Sequence, residues 1–114
     1  MKKTDEERLK KIAAVWNELK VQIKQRNITK EQLLNDGFLQ WAVTTPLYNI
    51  GEQVYNLSSE LKQQYPDIIW NKVSGLRHRL VHDYDGINWE MIVEIVFQEM
   101  EPFVENVKQI LNEI

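Results

Sequence analysis

Thr4-Asp5-Glu6-Glu7-Arg8-Leu9-Lys10-Lys11-Ile12-Ala13-Ala14-Val15-Trp16-Asn17-Glu18-Leu19-Lys20-Val21-Gln22-Ile23 decides the fold class. Leu9, Ile12, Ala13, Trp16, Leu19 and Ile23 recur at intervals of three and four, the spacing that gathers apolar side chains on one face of an α-helix. Thr4 and Glu7 stand at the separation of a capping box, which sets the expected start of this helix, and Asn27 marks its end. No segment elsewhere alternates with the period of a strand.

Outward from this stretch the helical signals continue. Thr29-Lys30-Glu31-Gln32 repeats the capping pattern and opens a short helix through Leu33 and Leu34, which Asn35-Asp36-Gly37 breaks. Phe38 to Gln64 reads as one long helix with Trp41, Ala42, Leu47, Ile50, Val54, Leu57 and Leu61 mostly on one face. Pro46 lacks an amide hydrogen and is expected to bend it. Tyr65-Pro66-Asp67 is a stop, Ile68 to His82 a further helix, and Tyr84-Asp85-Gly86-Ile87 a turn. Asn88 then caps a final helix through Leu111, with a bend expected at Pro102. The sum is a single all-α domain over residues 1–114, a bundle of four to five mostly antiparallel helices with short connections.

Composition narrows the function classes. A hydrophobic fraction of 43% with 27% charged residues describes a globular chain rather than a disordered one. The absence of cysteine excludes disulfides, thiolate metal sites and cysteine nucleophiles. Met1-Lys2-Lys3-Thr4-Asp5 has no apolar stretch behind it and no run elsewhere is long enough to span a bilayer, so the expected location is cytoplasmic. The net charge of -3 conceals an asymmetry: residues 1–30 carry nine Lys/Arg against four Asp/Glu, and residues 83–114 carry eight acids against Lys108 alone. An anionic partner is therefore met locally, not by the whole surface. A module of this size also leaves much helical surface exposed, some of which a homodimer covers.

Chemistry concentrates in Gly75-Leu76-Arg77-His78-Arg79-Leu80-Val81-His82-Asp83-Tyr84, which holds both histidines of the chain and two arginines. Histidine is the side chain that exchanges protons near neutrality, so the whole of that capacity sits here. Arg77 and His82 are five residues apart, roughly 140° around a helix axis, and do not face one another within one chain. Their pairing makes sense if the helix ends at His82 and a second copy completes the cluster across a two-fold axis. Arginine with histidine suits cleavage of a ribose phosphodiester by its own 2′-hydroxyl. That reaction needs a base for the hydroxyl proton, an acid for the departing 5′-oxygen and a cation over the phosphate. Arg77 fits the last role through its planar, permanently charged fork, and His82 fits either proton role.

Other readings use the same residues. A basic helix end can simply satisfy terminal carbonyls and the neighbouring Asp83 and Asp85. His78 and His82 have the i, i+4 spacing of a zinc pair, but Arg79 stands where a metalloprotease helix carries its acid, so no metal ligand is assigned. Tyr84 is either a buried ring with a bonded hydroxyl or an exposed phenol open to modification. A bulky anion attached there would fill the cleft and occupy its arginines.

The string Arg77, four residues, His82, one residue, Tyr84 resembles the motif of the HepT-like toxins, a HEPN-fold family long catalogued as a domain of unknown function. Ile50-Gly51-Glu52, Tyr65-Pro66-Asp67-Ile68 with Trp70, Gly75-Leu76-Arg77 and Gly86-Ile87-Asn88 with Trp89-Glu90 match that family in the same order, over nearly the whole chain. The resemblance implies a HEPN-type bundle, a homodimer with its cleft at the motif, and metal-independent endoribonuclease activity without a cofactor, with Arg77 and His82 catalytic and His78 and Glu52 supporting. It also implies a type VII-like toxin–antitoxin pair, in which a cognate MNT-type nucleotidyltransferase neutralises the toxin by transferring AMP to Tyr84. Where many relatives carry Arg and Glu in the helix leading to Ile-Gly-Glu, this chain has Thr45, Pro46 and Tyr48, and the residue after the motif arginine, often Asn or Asp, is His78. The competing reading is a non-catalytic subunit that holds a nucleotide or substrate for a minimal nucleotidyltransferase. A purely structural dimerisation module is the third.

Overall fold

The computed structural model describes residues 1–81 and 86–114, and within them there is helix and no strand. The order is α1 (Lys3–Gln25), α2 (Lys30–Asn35), α3 (Gly37–Tyr55), α4 (Ser59–Gln64), α5 (Trp70–Val81), α6 (Trp89–Glu94) and α7 (Met100–Asn112). A π-helical turn at Ile95–Glu99 joins α6 to α7 as one rod, so the described residues form six helical rods where four to five were expected. None of these helices is long and apolar enough to cross a membrane.

The apolar stripe of α1 is buried as its period predicts: Leu9, Ile12, Trp16 and Leu19 enter the core. They pack against α3 and α7, while α3 also packs along α5. Each buried Leu, Ile or Val contributes about 1.5–3 kcal/mol from removal of apolar surface from water. The expected capping box at Thr4 does not form. The helix starts at Lys3 and the side chain of its N-cap, Lys2, makes no capping bond, which leaves Thr4 inside the first turn. Asp5, 3% exposed, turns inward and accepts from the Ser58 amide at 2.9 Å and the Ser58 hydroxyl at 2.5 Å. A tertiary contact thus ties down the start of α1. Its end is local: Asn27 takes a left-handed φ of 54°, and Thr29 with Gln32 forms the predicted reciprocal cap of α2.

The single helix expected from Phe38 to Gln64 is two. α3 stops at Tyr55, where the Asn56 amide side chain bonds the Glu52 carbonyl, and Ser58 opens α4 by accepting from the Leu61 amide. Ser58 serves this cap and the Asp5 contact together, so the break is held by a partner 53 residues away. Pro46 removes one backbone bond and does not end α3. Trp41 and Ala42, expected on the buried face, are exposed, Trp41 at 78%.

α5 begins at Trp70 rather than Ile68 because Trp70 is an anchor. Its indole donates to the Tyr65 carbonyl at 2.9 Å, and its ring meets Phe103 of α7 edge-on with centroids 5.7 Å apart. The irregularity expected at Pro102 lies one turn earlier. The Met100 amide reaches back five residues to the Ile95 carbonyl, and this widened turn leads into the α7 turn that holds the proline. Asn88 caps α6 as predicted, accepting from the Met91 amide.

Candidate active site

α3 and α5 approach most closely where Gly51 lies beside Arg77. A Cβ on Gly51 would stand 2.7 Å from the Arg77 amide nitrogen and 3.2 Å from the Arg77 Cβ, closer than packed atoms tolerate. Only glycine lets the two backbones meet there, and the contact fixes where the Arg77 side chain leaves α5. That side chain then crosses back over α3. Its Nε donates to Glu52 Oε2 at 2.5 Å, and its guanidinium carbon sits 4.2 Å from the centre of the Tyr55 ring. Tyr55, three residues after Glu52, is 55% exposed, so the stacked cation lies at the surface.

The electrostatics follow from these contacts. The hydrogen bond from Arg77 holds the Glu52 carboxyl below the usual carboxylate range; Arg77's charge, the Asn56 amide and the Tyr48 hydroxyl add to this, while partial burial opposes it. The Asn56 amide donates to Glu52 Oε1 at 3.2 Å. The same pairing raises Arg77, which keeps its charge at every accessible pH. Among the described residues Nη1 and Nη2 of Arg77 donate to no protein acceptor. With Nε anchored and one face resting on an aromatic ring, the fork holds two donors in the geometry that pairs phosphate oxygens.

Of the residues singled out from sequence, the fold brings Arg77 and Glu52 together. His78 lies on the exposed side of α5, one residue beyond Arg77. His82 and Tyr84 lie outside the described residues, as do Asp83 and Asp85. Tyr48, which the family comparison by motif counts as a lost polar group, faces Glu52 and supports its charge. Tyr55 and Asn56 were not singled out from sequence. Both lie within one turn of Glu52, at i+3 and i+4, and that spacing was the available signal. Beyond them, Arg8 Nη1 donates to Gln53 Oε1 at 3.0 Å and Gln53 Nε2 to Asn49 Oδ1 at 3.3 Å, tying α1 to the same part of α3.

An all-helical fold with an arginine clamped in this way on a two-helix junction suits a protein that handles phosphate groups, and comparison with known families gives the class. The model of the "Ribonuclease HepT-like" family matches residues 4–110, and the chain belongs to that family. Its enzyme class is accordingly endoribonuclease. A candidate RNase of Caldanaerobacter subterraneus subsp. tengcongensis is 33% identical over 86 residues, covering 75% of this chain and 77% of that protein. A candidate RNase of Methanocaldococcus jannaschii is 34% identical over 88 residues, covering 77% and 73%. A protein named "Probable ribonuclease HepT" from Thermococcus cleftensis is 31% identical over 75 residues, covering 66% and 68%. No solved structure matches the chain.

Proposed function

We propose that this ribonuclease is a cytoplasmic, metal-independent toxin that cuts RNA in a cleft between two copies of the chain, and that a cognate nucleotidyltransferase silences it by transferring AMP to Tyr84. The observation that carries the reading is the state of Arg77: anchored through Nε to Glu52 and stacked on Tyr55, with its side chain one-third exposed at 33%. A guanidinium held this way meets a phosphate without first losing side-chain freedom. It offsets the negative charge that builds on the phosphorus-bound oxygens as the 2′-hydroxyl attacks.

His82 follows Arg77 by five residues and supplies the proton steps. One imidazole takes the 2′-hydroxyl proton as the new P–O bond forms, and an imidazolium, from the same or the partner chain, protonates the 5′-oxygen as the old bond breaks. The products are a 2′,3′-cyclic phosphate and a 5′-hydroxyl, so protons and charge balance without a further reactant. Glu52 is a positioning residue for Arg77. An adenylate on Tyr84, two residues past His82 in the sequence, would add an anionic phosphate that competes with RNA for the arginine.

Incubation of the purified protein with cellular RNA in the presence of a metal chelator tests the reaction. Cut RNA with cyclic phosphate ends is expected, together with loss of cutting in Arg77→Ala and His82→Ala. Intact RNA with the unaltered chain, or full activity in either variant, removes the assignment of these residues. Mass spectrometry of the chain co-expressed with an MNT-type nucleotidyltransferase should find adenylate on Tyr84 and none in Tyr84→Phe.

A further inference from the structure

Two arginines reach α3 from opposite sides and are held by consecutive residues of it. Glu52 anchors Arg77 of α5, and Gln53 accepts from Nη1 of Arg8 of α1 at 3.0 Å. Consecutive side chains leave a helix about 100° apart, so the two guanidiniums stand on either flank of α3, which packs between α1 and α5. Gln53 is itself held, donating to Asn49 Oδ1 at 3.3 Å, so the Arg8 anchor has a fixed position. The anchors differ in charge. Glu52 offsets the positive charge of Arg77, whereas the neutral amide of Gln53 leaves Arg8 with all of its own. Nε and Nη2 of Arg8 meet no acceptor among the described residues. Beside it, Thr4, Glu7, Arg8, Lys11 and Gln53 line a surface hollow of about 300 Å³. Lys11 is exposed and, among the described residues, bonded to nothing.

We infer that Arg8 and Lys11 form a second phosphate subsite, which grips the RNA strand away from the bond that Arg77 attends. A strand bound at Arg77 carries further phosphates along its length. A helix with its side chains is about 10–12 Å across, so Arg8 on the far flank of α3 meets a different phosphate from Arg77. Charge selects this occupant. Of the acids in the first turns of α1, Asp5 is buried against Ser58 and Glu6 pairs with Lys10, so Glu7 alone lines the hollow, against the two cations Arg8 and Lys11. A mere tie between α1 and α3 would be stronger with a carboxylate at residue 53, since charge-assisted pairs hold better than neutral ones. The amide found there fixes the guanidinium and leaves its charge to an anion. The inference rests on the ribonuclease reading of the Arg77 site, to which it adds a contact that sets the affinity for longer strands and not the rate of bond breaking.

A 2′-O-methyl RNA strand of about twelve nucleotides has no free 2′-hydroxyl to attack, so fluorescence anisotropy with it reports binding without cutting. Arg8→Gln and Lys11→Gln should each bind it about 3–10-fold more weakly, with log K against log salt less steep by about 0.7 for each charge removed, and Glu7→Gln should bind it more tightly. Lys11 and Glu7 make no bond among the described residues, so their variants should melt like the unaltered protein. On cleavable RNA of the same length the Arg8 and Lys11 variants should show a raised KM at unchanged kcat, and on a dinucleotide they should match the unaltered chain. Unchanged affinity and salt slope in Lys11→Gln, or an equal loss on the dinucleotide, overturns the inference. So does an Arg8→Gln variant that loses stability with binding intact, since the arginine is then a strut between helices. If the 2′-O-methyl strand binds as described while natural RNA stays whole, the subsite stands and the nuclease reading falls.

Discussion

Gly51 and Arg77 touch backbone to backbone: the position a Cβ would take on the glycine lies 2.7 Å from the arginine's amide nitrogen. The contact joins the two helices that build the site, and it is made of atoms that cannot rotate away. A methyl group at residue 51 therefore has to push α5 off α3. Gly51→Ala is expected to cost about 1–3 kcal/mol of stability, the range for overpacking, even though alanine favours helix. Because Arg77 leaves α5 at this point, RNA cutting should fall by more than the lost folded fraction explains. Chemical denaturation together with activity measured well below the melting temperature checks both parts.

Asp5 is a buried carboxylate that holds the corner between α3 and α4. It takes the amide and hydroxyl of Ser58, the residue that caps α4, so it converts the end of one helix and the start of another into a fixed corner. Removing it strands a buried amide and loosens that corner. Asp5→Ala should lose about 2–4 kcal/mol, the sum of two charge-assisted bonds less what water recovers. Asp5→Asn, which keeps one acceptor, should lose less. Urea unfolding of the two variants gives the comparison, and equal losses would show that a neutral acceptor at this position contributes nothing.

How far the sequence could be read depended on the range of the interactions. The 3.6-residue period exposed α1, the cap at Thr29 and the cap at Asn88, because each is decided within a few neighbouring residues. The break at Asn56 to Ser58 was hidden, since its strongest partner is Asp5 at the other end of the chain. Trp41 was misplaced on the buried face because hydropathy assigns a tryptophan inward, and only the packing of α3 shows that its neighbours on the core side are Val43 and Leu47. At the site, Arg77 and Glu52 were legible through their motifs. The role of Tyr55 was not, because a cation stacked on a ring depends on which way the side chain of another helix turns.

The pH dependence of the Arg77–Glu52 pair has a definite sign. Glu52 titrates below its usual value of 4.5, so the folded state holds its charged form more tightly than the unfolded chain does. The contribution of the pair is present in full above about pH 4.5 and is lost as pH falls through the depressed value. Thermal melts of the unaltered protein and Glu52→Gln should therefore differ by a constant amount near neutrality and converge in acid. The pair is partly exposed, so the difference should be small and shrink with added salt. Divergence of the two melts in acid would mean that another group governs the titration.

Arg77→Lys separates charge from shape at the site. Lysine keeps the positive charge, but its donors all sit on one nitrogen, so it cannot anchor to Glu52 through one atom and hold a planar pair of donors on two others, and it has no flat face to lay on Tyr55. If the only need were a cation near a phosphate, the variant would retain most activity. The geometry around Arg77 predicts otherwise. A misplaced charge at a reacting phosphate costs on the order of 100-fold, so kcat should fall by about that factor with the melting temperature nearly unchanged. Glu52→Ala, which leaves the guanidinium in place but removes its anchor, should lose less than Arg77→Lys, and Glu52→Gln, which keeps an acceptor for Nε, less again. Measured as kcat and KM on one RNA substrate, that order distinguishes a positioned fork from a point charge, and near-normal turnover in Arg77→Lys would show that the anchor and the ring are irrelevant to the reaction.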